Sequence, residues 1–495
     1  MSECLKEACG VFAAQNFDSG SIFQYLYLGL RAQNHRGHQS YGFITYQNGE
    51  FYQKKRLGLV PQLEKKKFQK WQESLPGPLG TGNVRYTTSG GMDEKSLIKG
   101  IQPFLSEGKG TGIAIAFNGN VVNVNELREN IQKKLKKFSY ECDGELICKK
   151  LHIEAMKDND LAASVKKCMK EVEGAFSVAG ITKKGELFAF KDPYGIKPLC
   201  CGHSEDNKTC AVSSETVGLD INSFEHDFEI EPGELVIATK NGFEREQVVQ
   251  PKKRALCAFE FAYFARPDSK LGKRFVYEVR EEFGRNLATE YPEIAKNADI
   301  IISIPETADD AAYGLHEATD IRWERATRRH RYVTERAFIL LPEERQKTID
   351  RKINILGSKI RGKNVVVTED SIVRGDTTKV AVGKIRKMRA EKVYLFVTFP
   401  RIIGPCFYGI DMTTYGELIG SRYKPDQIAE IIGADGVCYQ SLDGFVRSTG
   451  LSKDSLCLGC VTGRYPTPSA QKIADRERKE FEKGHIKKRR VYEQS

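Results

Sequence analysis

Two groups of residues in this chain have the types and spacing to do chemistry, and they lie far apart. Near the start stands Cys9, followed by Gly10, Val11 and Phe12. A thiol nucleophile needs a base to take its proton. If residues 1–8 are removed as a propeptide, the α-amine of Cys9 becomes free. Its unperturbed pKa is near about 8, so it can be that base on the same residue. Cys4 is a rival nucleophile but lacks the Gly-Val-Phe strand start. Three polar clusters follow: HRGHQSYG with Arg36, RYTTSGG with Arg85, Tyr86 and Thr87, and FNGNVVN with Asn118, Gly119 and Asn120. Taken singly each is bland, since an Asn-Gly pair is most often a turn.

The second group is KNVVVTEDSIVRGDTT, from Lys363 to Thr378. An apolar strand ends in Glu369-Asp370, and a Ser/Gly/Thr loop then opens a helix. Backbone N–H groups at such a junction form an anion nest. Two adjacent carboxylates at the strand end can hold a ribose diol or Mg2+. Four cysteines, Cys257, Cys406, Cys457 and Cys460, are scattered through the same half. The C-x-x-C spacing of the last two alone also fits a redox pair or half a zinc site.

The elements that must position these groups change character along the chain. From residue 9 to about 250 the pattern is mixed α+β. GIAIAFNG and AFSVAGIT read as strands, Asn125 to Lys136 and Asp160 to Val172 as helices. EPGELVIATKNGFE reads as a closing hairpin turning at Asn241-Gly242. The polar stretch Gln247 to Arg254 is the expected boundary. Beyond it, ADIIISIPET, KNVVVTEDS and KVYLFVTFP alternate with helical stretches, which predicts a parallel α/β sheet. After Cys460 the chain turns polar and basic, and Ala470 to Lys483 reads as an exposed helix with a loose end.

Composition bounds the rest. The chain has 495 residues, enough for two to three domains, with 40% hydrophobic and 29% charged residues. No apolar run is long enough to span a membrane, and the N-terminus does not read as a secretory signal, so a cytoplasmic location is expected. The formal charge is +11. Acidic residues are interleaved with the basic ones, which argues for a phosphorylated small molecule rather than nucleic acid as the anionic partner. Thirteen cysteines without a signal argue against a disulfide framework. Most of them, Cys168 and Cys210 for example, read as small buried hydrophobes.

In their order and spacing, Cys9, Arg36, Arg85 and Asn118-Gly119 resemble the glutaminase domain of the N-terminal-nucleophile (class II) glutamine amidotransferases. The resemblance implies that Cys9 attacks the glutamine amide and that Asn118 and the Gly119 N–H form the oxyanion hole. Arg85 would bind the α-carboxylate, Asp143 the α-ammonium, and Arg36 would help organise the site. The Lys363–Thr378 segment resembles the signature of the type I phosphoribosyltransferases. With FEFAYFARPDS, SIPET, RYV, CFYGID, ELI and TGRYP also in order, the chain resembles the amidophosphoribosyltransferase family from Cys9 to about Pro466.

The implied fold is a four-layer αββα domain followed by an α/β domain with a parallel sheet. The expected division is a propeptide 1–8, a glutaminase domain 9–250, a phosphoribosyltransferase domain 251–466 and a basic tail 467–495. The implied substrates are glutamine and phosphoribosyl pyrophosphate (PRPP). Glu369, Asp370, Ser371, Arg374, Gly375, Thr377 and Thr378 would bind PRPP, and Thr307, Glu369 and Asp370 would place Mg2+. Cys257, Cys406, Cys457 and Cys460 match the iron–sulfur branch and imply one [4Fe–4S] cluster, with zinc as the alternative. Feedback by purine nucleotides and a homo-oligomer, often a tetramer, are also implied.

Three positions depart from the family pattern: Glu369 where Asp is usual, Asp376 where Thr is common, and Glu335 for an arginine in the lid expected over Arg331 to Asn354. These departures leave an alternative open, a paralogue with an impaired lid that acts as a glutaminase or a regulatory subunit.

Overall fold

The computed structural model describes residues 9–86, 94–108, 110–133, 142–158, 160–329, 353–412 and 414–485. The expected propeptide, Thr87, most of the expected lid with Glu335, and the last ten residues lie outside them.

The first half is built on two antiparallel sheets. One has seven strands in the order Phe224–Glu229, Cys200–Ser204, Thr209–Ser213, Gly10–Asn16, Leu79–Arg85, Ser40–Gln47 and Glu50–Leu57. The other has six: Gly242–Gln247, Glu234–Thr239, Leu187–Lys191, Gly174–Thr182, Thr111–Val121 and Phe104–Gly108. Alternation along Thr111–Val121 shows why they stack. Ala114 and Ala116 join Val11, Ala13, Ala179 and Val212 in a core between the sheets. Ile113, Ile115, Phe117 and Val121 face the opposite way, against the helices Asp143–Asp158 and Leu161–Glu171. Period-two alternation thus puts small residues where sheets meet and large ones where helices cover. On the far side, the helix Phe23–Ala32 packs Phe23, Leu26 and Leu30 onto Phe12 and Phe43. The result is the expected αββα arrangement.

The second half carries a four-stranded parallel sheet ordered Ile300–Ser303, Asn364–Glu369, Lys392–Val397 and Gly436–Tyr439. Its strands are apolar on both faces. Val365 and Val367 pack toward Ala381, Ile385 and Ile428, while Val366 packs toward Leu287, Ala312 and Leu315. A sheet covered by helices on both sides needs such continuous apolar runs.

A further core joins the halves. Val122, Ala175, Tyr194 and Ile196 pack with Phe259, Phe261, Phe407, Tyr408 and Tyr465. The chain also pairs Cys257 with Cys457 in a short parallel ladder, and the Cys257 N–H donates to the Ile196 carbonyl at 3.0 Å.

Two local expectations are corrected. The hairpin loop is Lys240-Asn241, because Gly242 already pairs with Thr239 and takes φ +103°, open to glycine. The helix Pro468–Glu482 is not simply exposed: Ala470 and Ala474 are buried, and Phe481 stacks on Tyr415 at 5.8 Å. Among the described residues no helix is long and apolar enough to cross a membrane.

Candidate active site

Cys9 is buried at the foot of the strand Gly10–Asn16. Its Sγ lies 3.8 Å from the Tyr86 carbonyl oxygen and accepts from Gln102 Nε2 at 3.7 Å. Burial pushes the thiol above its ordinary pKa, and the Arg85 charge and the contact with Tyr86 pull the other way. The Asp143 charge raises it further. Cys9, Arg85 and Asp143 are therefore brought together from three separate elements. Asp143 opens the helix Asp143–Asp158, where its carboxylate accepts from the N–H groups of Val121 and Gly144, each at 3.0 Å.

The strand Thr111–Val121, in the facing sheet, carries Asn118 and Gly119. Both polar side-chain atoms of Asn118 are buried without a hydrogen-bond partner. A buried amide left unpaired costs roughly 1–3 kcal/mol, unless a ligand completes it. At Gly119, φ is +150° and a Cβ would lie 1.8 Å from the Ala175 carbonyl oxygen, so only glycine fits.

In the other half the two carboxylates sit at the carboxyl edge of the parallel sheet, where open α/β sheets bind ligands. Glu369 is buried and its Oε2 has no partner, while Asp370 accepts from Ser371 Oγ at 2.6 Å. Burial raises both carboxyls above their ordinary range, and the neighbouring Asp370 charge raises Glu369 further. The loop then reaches Gly375, with φ +90°, at the N-cap of the helix Asp376–Lys387. Thr377 and Thr378 are buried in the first turn, and Asp376 is exposed, where a carboxylate complements the helix dipole. Arg374 is tied to Glu417 at 3.1 Å. Thr307 lies in the turn after Ile300–Ser303, where the Ile304 N–H donates to the Thr368 carbonyl at 2.9 Å, so this turn and the Glu369 edge adjoin. An unpartnered oxygen in a crowded carboxylate pair is a fit for a divalent cation or a diol.

Cys257, Cys406 and Cys457 are buried, Cys460 is half-buried, and all four are free thiols. Burial raises the Cys460 thiol well above its ordinary range, and Cys406, Cys457 and Cys257 raise it further, so the four share one neighbourhood. Among the described residues, no three His, Cys, Asp or Glu side chains converge closely enough to enclose a single metal ion. Four cysteines are a donor set that suits a thiolate-bound cluster or zinc.

Several residues at these sites carried no sequence signal. Gln102 bridges Cys9 Sγ and the Phe117 N–H, which it accepts at 2.7 Å. Glu215 and Glu260 clasp the buried Arg36, the one member of this cluster that the sequence had singled out. Arg280, also buried, donates to the carbonyls of Phe261 and Ala265 and lies near Asp310 and Asp370. These contacts join residues far apart in sequence, which no local pattern announces.

Residues 93–220 match the model of a glutamine amidotransferase domain. The amidophosphoribosyltransferase of Methanothermobacter thermautotrophicus is 35% identical over 96% of this chain and 97% of its own length. That of Methanocaldococcus jannaschii is 37% identical over 95% of this chain and its full length. The solved glutamine PRPP amidotransferase from B. subtilis, complexed with ADP and GMP, superposes with TM-score 0.83 at 31% identity. That match covers 93% of this chain and 98% of the solved one. On the strength of these full-length matches and the paired sites, the chain belongs to the amidophosphoribosyltransferase family.

Proposed function

We propose that this enzyme transfers ammonia from glutamine to PRPP, giving 5-phosphoribosylamine, glutamate and pyrophosphate, the first step of purine biosynthesis. The observation that carries the reading is the pairing of two sites on one chain: a buried cysteine with Arg85 and Asp143, and the buried Glu369 beside the half-buried Asp370 at a parallel-sheet edge.

In the first site Arg85 grips the α-carboxylate as a fork and Asp143 takes the α-ammonium. The Cys9 α-amine, exposed by loss of residues 1–8, accepts the thiol proton, and Sγ attacks the amide carbon. The unpaired Asn118 amide and the Gly119 N–H meet the developing oxyanion. Such preorganised donors lower the barrier by several kcal/mol, roughly 3–4 each. The Cys9 α-ammonium gives that proton to the departing nitrogen, ammonia leaves, and water hydrolyses the thioester to glutamate and free Cys9. In the second site the N–H groups of residues 371–378, with Arg374, Gly375, Thr377 and Thr378, hold the 5-phosphate. Glu369 and Asp370 hold the ribose hydroxyls. Ammonia displaces pyrophosphate at the ribose C1. Mg2+, held by Thr307, Glu369 and Asp370, would neutralise the leaving pyrophosphate.

The reading extends to a division near residue 250, supported by the change from antiparallel sheets to the parallel one, and to a cytoplasmic enzyme. It includes a [4Fe–4S] cluster on Cys257, Cys406, Cys457 and Cys460, supported by their shared buried neighbourhood. The cluster's role would be structural, since no reaction step needs an electron. The reading also includes a homo-oligomer regulated by purine nucleotides.

The test is an anaerobic assay of phosphoribosylamine formation from glutamine and PRPP, with Cys9→Ala as the comparison. The variant is expected to lose glutamine use and keep activity with free ammonium. Equal loss of both would refute the two-site division.

A further inference from the structure

Arg36 is a fully buried arginine with three kinds of partner. Its Nε donates to the Cys9 carbonyl oxygen at 3.4 Å. Its Nη2 and Nη1 grip Glu260 at 2.8 and 3.0 Å, a two-pronged fork, and Nη1 also meets Glu215. Glu215 is itself held by His35 at 2.7 Å, by the Arg266 N–H at 2.9 Å and by Ser269 Oγ at 2.5 Å. Burial alone would raise the Glu215 carboxyl, but His35 and Arg36 hold it far below the ordinary range. Glu260 is different. It comes from the other half of the chain, and besides Arg36 it faces only the buried Lys197 ammonium, at 3.7 Å, among the described ion pairs.

The backbone around Glu260 is unusual as well. Glu260–Phe264 forms a single π-helical turn. Such turns are rare and are found mostly at functional sites. The turn is pinned at one end by Arg36 and along its carbonyls by Arg280, which donates to Phe261 at 2.9 Å and Ala265 at 2.8 Å. Each arginine reaches a different active site: Arg36 the Cys9 main chain, Arg280 the neighbourhood of Asp370.

We infer that Glu260 is a positioning residue for amide cleavage: by fixing the Arg36 fork, it holds the main chain of Cys9 and so sets the nucleophile of the opposite half. A buried ion pair is weak evidence for a stabilising role, since apolar residues of similar shape often serve stability as well. Orientation is what the charged fork adds. Without the Glu260 charge, Arg36 is drawn to Glu215 alone, and its Nε turns away from the Cys9 carbonyl. A shift on the order of 1 Å at a nucleophile can cost about a hundredfold in rate.

This inference rests on Cys9 as the nucleophile. The test compares Glu260→Gln and Glu260→Asp with the unsubstituted enzyme and with Cys9→Ala, in full-length protein holding its metal, with rates normalised to the chains that begin at Cys9 by intact mass. Glu260→Gln is expected to lower kcat with glutamine about ten- to a hundredfold with KM for glutamine within about twofold. Alkylation of Cys9 by iodoacetamide should slow in parallel. Synthesis from free ammonium, which bypasses Cys9, should keep its rate, and iron content should match. Glu260→Asp, which keeps the charge and retracts it by one methylene, should fall between. If Glu260→Gln does not accumulate as folded protein, the same kcat-without-KM loss is required of Glu260→Asp. Unchanged kcat and alkylation, or equal loss of glutamine and ammonium rates, would overturn the role of Glu260. Glutamine use retained by Cys9→Ala would instead overturn the nucleophile assignment.

Discussion

Glu369 and Asp370 sit side by side where both would rather keep their protons. Burial raises both, and mutual repulsion adds to Glu369. A carboxyl raised in the folded state binds protons that the unfolded chain gives up, so its contribution to stability is fullest at low pH. That contribution is lost as pH rises from the ordinary carboxylate range, about 4, through the raised folded values. Glu369→Gln should therefore raise the thermal midpoint of the ligand-free enzyme at about pH 8 and lose that advantage near about pH 4–5. A pH series of thermal melts checks this, and an advantage that grows on acidification would contradict it. The same variant should bind PRPP poorly, because a neutral amide cannot replace the carboxylate. Asn118 makes a parallel case. Its two polar side-chain atoms are buried without a partner, and in the proposed mechanism its Nδ2 donates to the oxyanion. Asn118→Ala should lower glutamine-dependent kcat by about 10²–10³ and leave ammonium-dependent synthesis intact. A stopped assay with each nitrogen source measures the split.

At the scale of elements, the loop from Asp370 to Gly375 depends on one backbone conformation. Gly375 holds φ +90° as the N-cap, and an alanine there is strained by about 1–2 kcal/mol. Gly375→Ala is expected to raise KM for PRPP several-fold while glutamine hydrolysis alone is little changed, as steady-state kinetics would show. The strand and helix signals near this loop were local and easy to read: an apolar run, paired acids, then Gly and Thr opening a helix. The helix Leu161–Glu171 was equally legible, because Asp160 caps it by accepting the Ala163 N–H at 3.1 Å. The C-terminal helix was legible as a helix but not as a packed one. Ala470, Ala474 and the partly buried Ile473 pack on the core and Phe481 stacks on Tyr415, too few apolar residues to announce a buried face.

At the scale of the whole molecule, the two halves do not close separately. Val122, Ala175, Tyr194 and Ile196 find their apolar partners in the second half, and Arg36 finds Glu260 there. A fragment of residues 9–250 would expose that patch and leave Arg36 one carboxylate short. It should aggregate or associate on gel filtration and lack glutaminase activity, whereas a monodisperse active fragment would show that the interface is dispensable. The cysteines cross the same boundary region, Cys257 beside Ile196 and Cys406 just before Phe407, whose carbonyl accepts from Asn120 at 3.1 Å. Metal analysis of anaerobically purified protein should find iron rather than zinc. Cys406→Ser should lose it together with glutamine-dependent activity, because the segment lying against Asn120 would loosen.

The sequence by itself determined the chemistry available and its local frames. Reactive side chains sit at strand ends and glycine turns, and the hydrophobic period dictates which face of each strand is buried. These are properties of neighbouring residues, so they survive without a fold. Only the tertiary structure decided which distant groups meet: Gln102 on Cys9, Glu260 on Arg36, Arg280 between Phe261 and Asp370. Such pairings depend on how two sheets, a parallel domain and one shared core settle against each other. A buried charge gains its meaning from whatever that packing leaves within hydrogen-bonding reach.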